Sequence, residues 1–425
     1  MSVLNMAKEA YEASISLASL SAETKNKVLE GIIAEIHEHT EDIITANEMD
    51  LERAAAENLA APLLKRLKFD KGKIEDAING IKSLITLPDP CGRVLETTEL
   101  SEGLILKKVT CPIGVIGVIF ESRPDALIQI ASLCIKSGNA VLLKGGSEAL
   151  LTNRILTKII TNAIKNNNLP DSCVSLLESR DDVNEMLSCD EYIDLIIPRG
   201  SNEFVRYIME NSRIPVMGHA DGICHVYVDK AADLDMAVKV TLDSKTQYVA
   251  VCNAAETLLV HSDIAEEFLP KMYAAFKSKG VTVKGCERTC KIIDALPADE
   301  SDFKTEYLDL IISVKIVDSI DDAIGHINHY GSGHTDAIIT KDLKAGERFL
   351  NLVDSADVFL NCSTRFADGF RFGFGAEVGI STNKLHARGP VGLEGLMIYK
   401  YKLYGSGQIV EDFVSGKKKF THKKL

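Results

Sequence analysis

The stretch GVIGVIFESRPDALIQIASLCIKSGNAVLLKGGSEA, residues 114–149, decides the fold class. It opens on a short apolar run, the pattern of a strand buried on both faces. DALIQIASLCIKSG repeats apolar residues at helical spacing and stops at Gly138. AVLLK is a second strand, and SEALLTNRILTKIITNAIKNN a second helix, opened by Ser147. Working outward, CVSLLES reads as strand, DDVNEML as a short helix, YIDLIIP as strand and SNEFVRYIMENS as helix. RIPVMG and CHVYVD then follow as strands. Short apolar strands alternating with helices predict an α/β fold with a parallel sheet covered on both faces. Ligands bind such sheets at the carboxyl ends of the strands.

A second alternating region begins near residue 236. AETLLVH, the helix IAEEFLPKMYAAFKSKG, VTVKG, LIISVKIVD, a helix from Ile320 to about Tyr330, and DAIIT predict a second α/β domain. Residues 3–90 read as helices. Ser21 opens one of them, and its Val28, Ile32, Ile33 and Ile36 share a face. ELSEGLILKKVTCP reads as extended, with Gly103 as a turn, and suits a separate subdomain or an oligomer contact.

The 425 residues exceed one hydrophobic core. A net charge of −13 excludes nucleic acid as the main partner, which needs a basic face. The basic tail GKKKFTHKKL reads as a solvated end. Ten scattered cysteines suit a reducing cytoplasm better than a disulfide framework. No apolar run approaches the roughly 20 residues that span a bilayer, so no membrane partner is expected. Cys286 and Cys290 in CERTC lack a second pair of ligands, and no metal is expected.

The first region lacks the G-x-G-x-x-G fingerprint. Lys144 nevertheless ends a strand before Gly145, Gly146 and Ser147, and Arg199, Gly200 and Ser201 separate a strand from a helix. A cation beside a helix N-terminus suits a phosphate; turn glycines with solvated charges are the alternative. In TQYVAVCNAAETLLV, residues 246–260, the apolar neighbours of Cys252 favour a buried thiol. If Asn253 starts a helix, the dipole instead favours a thiolate nucleophile. The Gly-rich stretch 361–396 carries Arg365, Arg371, Lys384, His386 and Arg388, and suits either an anion site or surface pairing.

GVIGVIFESRPDA, IDLIIPRGSN, GICHVYVDKAADLD, NAAETLLVHS and GAEVGISTNKLHARGPVGLEGL together resemble the gamma-glutamyl phosphate reductases (glutamate-5-semialdehyde dehydrogenases) of the aldehyde dehydrogenase superfamily. The resemblance runs from about residue 5 to residue 413, and the Lys-Leu-His-Ala-Arg-Gly-Pro run is particular to this family. It implies NADPH-dependent reduction of gamma-glutamyl phosphate to glutamate-5-semialdehyde and phosphate, the second step of proline biosynthesis from glutamate. It implies an NADPH-binding domain at 1–96 and 114–234 and a catalytic domain at 235–390. A small β oligomerisation element and tail fall at 97–113 and 391–425.

The family's nucleophile falls on Cys252, which would form a thioester with release of phosphate. Lys144, Ser147, Arg199, Gly200, Ser201 and Glu306 match cofactor contacts, although Glu306 also reads as a solvated helix-end carboxylate. Ser122, Arg123, Asn253, Arg365 and Arg388 are the substrate candidates. Hydrolytic members of the superfamily carry a general-base glutamate near the place of Gly218 and His219, and an oxyanion asparagine at about Ser122. The first departure disfavours hydrolysis of the thioester and favours phosphate as the acyl partner; the second leaves the side-chain oxyanion donor open. A homo-oligomer is expected, with glutamate kinase a possible partner, and the chain reads as the stand-alone reductase. An ordinary aldehyde dehydrogenase and a non-catalytic scaffold are the alternatives.

Overall fold

The computed structural model describes residues 2–179 and 181–425. Val115–Phe120 is buried at every position and stands between Ala140–Lys144 and Leu195–Arg199, parallel to both. Val174–Leu177 adds a fourth parallel strand beside Ala140–Lys144. The carboxyl ends at Phe120, Lys144 and Arg199 therefore share one edge. Helices Pro124–Ser137 and Leu150–Asn166 cover the sheet together with the N-terminal helices Val3–Leu17, Ala22–Glu38 and Lys71–Thr86, in one apolar core. Gly138 ends its helix in the left-handed region, at φ +75°, as its place after the apolar repeat predicts. Ser147 does not open the next helix: it starts a short 3-10 turn, and the helix begins at Leu150.

The second sheet has seven strands, all parallel. The order is Leu296–Pro297, Thr282–Gly285, Ile311–Val317, Ala255–His261, Cys224–Val228, Thr335–Ile339, Asp357–Leu360. Here the structure departs from the sequence reading. CHVYVD was assigned to the first sheet, with the domain boundary at 234. Cys224–Val228 instead pairs with Ala255–His261 and Thr335–Ile339, at the centre of the second sheet. RIPVMG forms no strand and contributes a single bridge between Val216 and Ile196. The expected 235–390 unit also breaks near its end, since Val378, Ala387, Val391, Leu393 and Leu396 pack into the core of the first sheet.

Val94–Ser101 and Leu104–Pro112 form a hairpin turned at Gly103, whose φ of +71° suits glycine. Met397–Tyr404 joins it antiparallel, and Lys423–Lys424 closes the other edge, so the basic tail is partly paired. No helix among the described residues is long and apolar enough to cross a membrane.

Candidate active site

Cys252 lies on neither a strand nor a helix N-terminus. Helix Leu234–Thr246 ends before it and strand Ala255–His261 begins after it, so the thiol stands on a helix-to-strand turn. This corrects the helix-dipole reading, because no helix starts at Asn253. Val249, Ala250 and Val251, the apolar run before Cys252, are half-buried residues of this turn and not a buried strand. A Cβ on Gly222 would stand 2.2 Å from the Cys252 carbonyl oxygen, so only glycine lets the two segments pass.

Hydrogen bonds tie the turn down. Ala254 N–H donates to the Val251 carbonyl at 3.1 Å, and the Cys224 thiol to the Cys252 carbonyl at 3.1 Å. Thr364 Oγ1 donates to the Asn253 carbonyl and Asn253 Nδ2 to the Ala367 carbonyl, each at 2.7 Å. Among the described residues the Cys252 N–H has no hydrogen-bond partner. The fully buried Lys245 and Glu256 face each other across the turn at 2.6 Å. Burial acts against both charges, lowering the Lys245 pKa and pushing Glu256 up to about 7. Glu256 also accepts from the Leu308 N–H at 3.3 Å, which joins the turn to the segment bearing Glu306.

Cys252 lines a cavity of about 600 Å³ between the two parallel sheets. Arg123, Arg199, Gly200, Ser201, Asn253, Glu306 and Arg365 line it too, so these sequence candidates are brought together. Arg199 sits at its strand end and donates to the Val378 carbonyl at 2.8 Å. Burial, and next the charge of Arg123, lower its pKa. Arg365 is oriented by its Nε bond of 2.9 Å to Gln247, and burial also lowers its pKa. Ser201 caps helix Asn202–Asn211, accepting from the Phe204 N–H at 3.4 Å. Asn202 Nδ2 donates to Glu306 at 2.6 Å, holding this carboxylate at the same helix end. The Glu121 carboxylate lies against Gly200, 2.8 Å from where a Cβ would stand, and accepts from the Ser201 N–H at 3.2 Å.

Four candidates lie outside the cavity lining. Ser122 has φ +48°, and its N–H and hydroxyl both donate to Glu148, at 2.6 and 2.7 Å. Its hydroxyl is committed to Glu148 and it does not line the cavity, against its expected part as a substrate contact. Lys144 ends its strand, with Nζ donating to the Gly145 carbonyl, and Ser147 is exposed beside it. Two strand spacings, about 10 Å, separate the Lys144 strand from the Arg199 strand. Arg388 lines a different cavity of about 320 Å³, where it and Lys384 pair with Asp354.

His219 lines the main cavity, and its Nδ1 bonds the Ile380 carbonyl at 2.7 Å. Burial holds its pKa below the usual histidine value. His334 was missed in the sequence. It is fully buried, its ring stands edge-on to His219 with centroids 4.6 Å apart, and one ligand atom of each lies within 4.8 Å of the Cys252 sulfur. Glu377 was missed as well. It lines the cavity beside Arg199, accepts from the Gly369 N–H at 2.7 Å, and burial raises its pKa. Neither GSGHTDA nor FGAEV carries a local signal for these roles.

The chain matches the aldehyde dehydrogenase family over residues 1–288. It is 63% identical to the gamma-glutamyl phosphate reductase of Acetivibrio thermocellus over 425 residues, covering 100% of this chain and 99% of that one. The crystal structure of gamma-glutamyl phosphate reductase from Thermotoga maritima aligns with TM-score 0.94 at 41% identity, covering 96% of this chain and 100% of that one. At 18% identity, the glyceraldehyde-3-phosphate dehydrogenase of Methanocaldococcus jannaschii complexed with NADP shares the fold, with TM-score 0.63 over 95% of this chain and 94% of that one.

Proposed function

From the membership of this chain in the gamma-glutamyl phosphate reductases of the aldehyde dehydrogenase family, we propose that it reduces gamma-glutamyl phosphate to glutamate-5-semialdehyde with NADPH through a thioester on Cys252. One observation carries this reading: a cysteine held on a pinned turn lines a cavity that Arg123, Arg199 and Arg365 also line. The substrate brings an acyl carbon with anionic groups at both ends, and three guanidinium groups suit a phosphate and a carboxylate.

The Cys252 sulfur attacks the acyl carbon, and phosphate leaves as the thioester forms. His219, neutral at pH 7, takes the thiol proton through its free Nε2 and passes it to the departing phosphate. The uncommitted Cys252 N–H is the donor for the oxyanion. No glutamate stands at His219 to activate water against the thioester, which favours phosphate as the acyl partner. A dinucleotide would place its pyrophosphate at the N-terminus of Asn202–Asn211, where it would have to displace the Glu121 carboxylate that now accepts from the Ser201 N–H at 3.2 Å, and Glu306 suits a ribose. Lys144, on the same sheet edge, suits the adenosine end and the additional phosphate of NADPH. Bound there, the cofactor supplies hydride to the acyl carbon.

The antiparallel sheet exposes Leu95, Ile398, Tyr399, Tyr401 and Leu403, and a second copy of this chain is the proposed occupant. The reaction assigned here completes the second step of proline biosynthesis in the cytoplasm, with a glutamate kinase supplying the acyl phosphate.

The test runs the reaction backward. Glutamate-5-semialdehyde and NADP are supplied with and without phosphate, and the reduced cofactor is followed by absorbance. Phosphate-dependent turnover, lost in Cys252→Ser, is expected. Turnover without phosphate would assign a hydrolytic aldehyde dehydrogenase, and absence of turnover would remove the catalytic reading.

A further inference from the structure

Three side chains that ligate metals converge at the nucleophile, although the only pair suggested by sequence spacing was Cys286 and Cys290. Ligand atoms of Cys252, His219 and His334 all lie within 4.8 Å of one another. Both rings are already oriented. Nδ1 of His219 bonds the Ile380 carbonyl at 2.7 Å, and Nδ1 of His334 bonds Thr335 Oγ1 at 2.8 Å. Each ring thus keeps Nε2, and the bond at Nδ1 is the outer-shell support that metal-bound histidines usually have. Nε2 of His334 is buried with no hydrogen-bond partner, in a residue that is 0% exposed. A buried ring nitrogen without a partner costs free energy, which a bound cation would relieve.

The chemistry of the set selects the ion. One thiolate and two imidazoles suit a borderline-soft d¹⁰ cation and leave a fourth tetrahedral position open. Tetrahedral Zn–N and Zn–S bonds separate ligands by about 3.3–3.6 Å, so from separations within 4.8 Å the groups need close by at most about 1.5 Å. Cys224 is not a fourth ligand: its thiol donates to the Cys252 carbonyl at 3.1 Å and stands 3.8 Å from His334 Nδ1, the nitrogen already bonded to Thr335.

We propose that Cys252, His219 and His334 form a site for a divalent cation of the zinc class, and that filling it blocks the enzyme reversibly. The cation displaces the thiol proton to solvent and holds the sulfur as a thiolate, which is then unavailable to the acyl carbon. Binding rests on geometry alone, while inhibition rests on Cys252 being the nucleophile.

Co²⁺ separates the two parts, because one thiolate bound to tetrahedral Co²⁺ gives a near-ultraviolet charge-transfer band whether or not the enzyme turns over. With all thiols reduced, titration is expected to give this band at one equivalent. It should be absent in Cys252→Ser and retained in Cys286→Ser. It should need about tenfold or more Co²⁺ in His334→Gln, the scale of losing one ligand's contribution. His219→Asn, at the less buried ring, provides the same comparison if His334→Gln does not fold. Zn²⁺ should displace the band and stop turnover, and a chelator should restore it. A band that survives Cys252→Ser, or unchanged affinity in a folded histidine variant, overturns the site. One-equivalent binding through Cys252 with full turnover overturns the inhibition but leaves the site.

Discussion

Gly222→Ala tests the pinned turn. The added methyl carbon would stand 2.2 Å from the Cys252 carbonyl oxygen, 2.5 Å from its Cα and 2.6 Å from its Cβ. None of these atoms can escape by changing a rotamer, so the backbone has to move. Ordinary contact begins at 3.4 Å. Restoring it displaces the turn or the Gly222 segment by about 1 Å, a misplacement that costs on the order of 10²-fold in rate. The barrier then rises by about 2.7 kcal/mol. Overpacking also lowers stability, by about 1–3 kcal/mol. The assay is kcat in the backward direction at saturating substrates, with a urea midpoint from the same preparation and the rate of Cys252 alkylation. Gly325→Ala is the control. Gly325 lies in helix Ile320–Tyr330 with nothing within 4 Å of an added Cβ. It should keep kcat and gain about 0.5–1 kcal/mol of stability. A folded Gly222→Ala enzyme with kcat within threefold of the parent would refute the reasoning.

Arg365→Met should raise KM for phosphate in the backward reaction by about 10- to 100-fold, since bonds to charged groups contribute about 1.5–3 kcal/mol; steady-state kinetics with phosphate varied reads this. Glu256→Gln leaves Lys245 buried without its counter-charge and should cost about 3–5 kcal/mol in urea unfolding. Lys245→Met/Glu256→Leu should recover most of that loss. Asp357 gives a pH signature, because burial pushes its pKa up to about 7 from an ordinary 3.8. Between those values the native state holds a proton that the unfolded chain releases, so this group's contribution falls as pH rises from about 4 to about 7. Asp357→Asn should therefore gain stability over the parent at pH 8 and not at pH 4, read as the difference between the two urea curves. Arg388→Met should change stability by no more than about 1 kcal/mol, because its pair with Asp354 is partly exposed. A tenfold rise in KM would instead return Arg388 to the substrate site.

The strands were legible because most are short apolar runs bounded by turn residues, as in Val115–Phe120 and Ile311–Val317. Which sheet a strand joins was not, and Cys224–Val228 shows why. Both its neighbours come later in the chain, one of them more than a hundred residues on, and an alternating string of elements carries no mark of such a pairing. The run before Cys252 misled for a related reason. Its apolar residues Val249, Ala250 and Val251 are half-buried, and the last two line the cavity, so the run marks a cavity wall that only the tertiary fold creates. Arg199, Gly200, Ser201 and Arg365 could be named from their strand-end and loop positions. Ser122 could not be excluded, since its partner Glu148 lies 26 residues away. His334 had no signal at all, because only the tertiary fold brings it to Cys252.

The hydrogen bonding of the turn bears on which chemistry the site favours. The carbonyls of Val251, Cys252 and Asn253 are all engaged by protein donors, while the Cys252 N–H has none among the described residues. Acceptors are satisfied within the protein and a donor is left over, the polarity that a developing oxyanion requires. Asn253 supports this arrangement indirectly, since its side-chain amide already donates to Ala367. Its part is to hold the turn, and the charged contacts to substrate fall to the arginines. The restraints on the turn arrive from the Gly222–Cys224 segment, the Thr364–Ala367 segment and the Lys245–Glu256 pair. Substitutions at Gly222, Thr364 or Lys245 should therefore act on turnover as strongly as changes in the cavity wall, although Thr364 and Lys245 are fully buried.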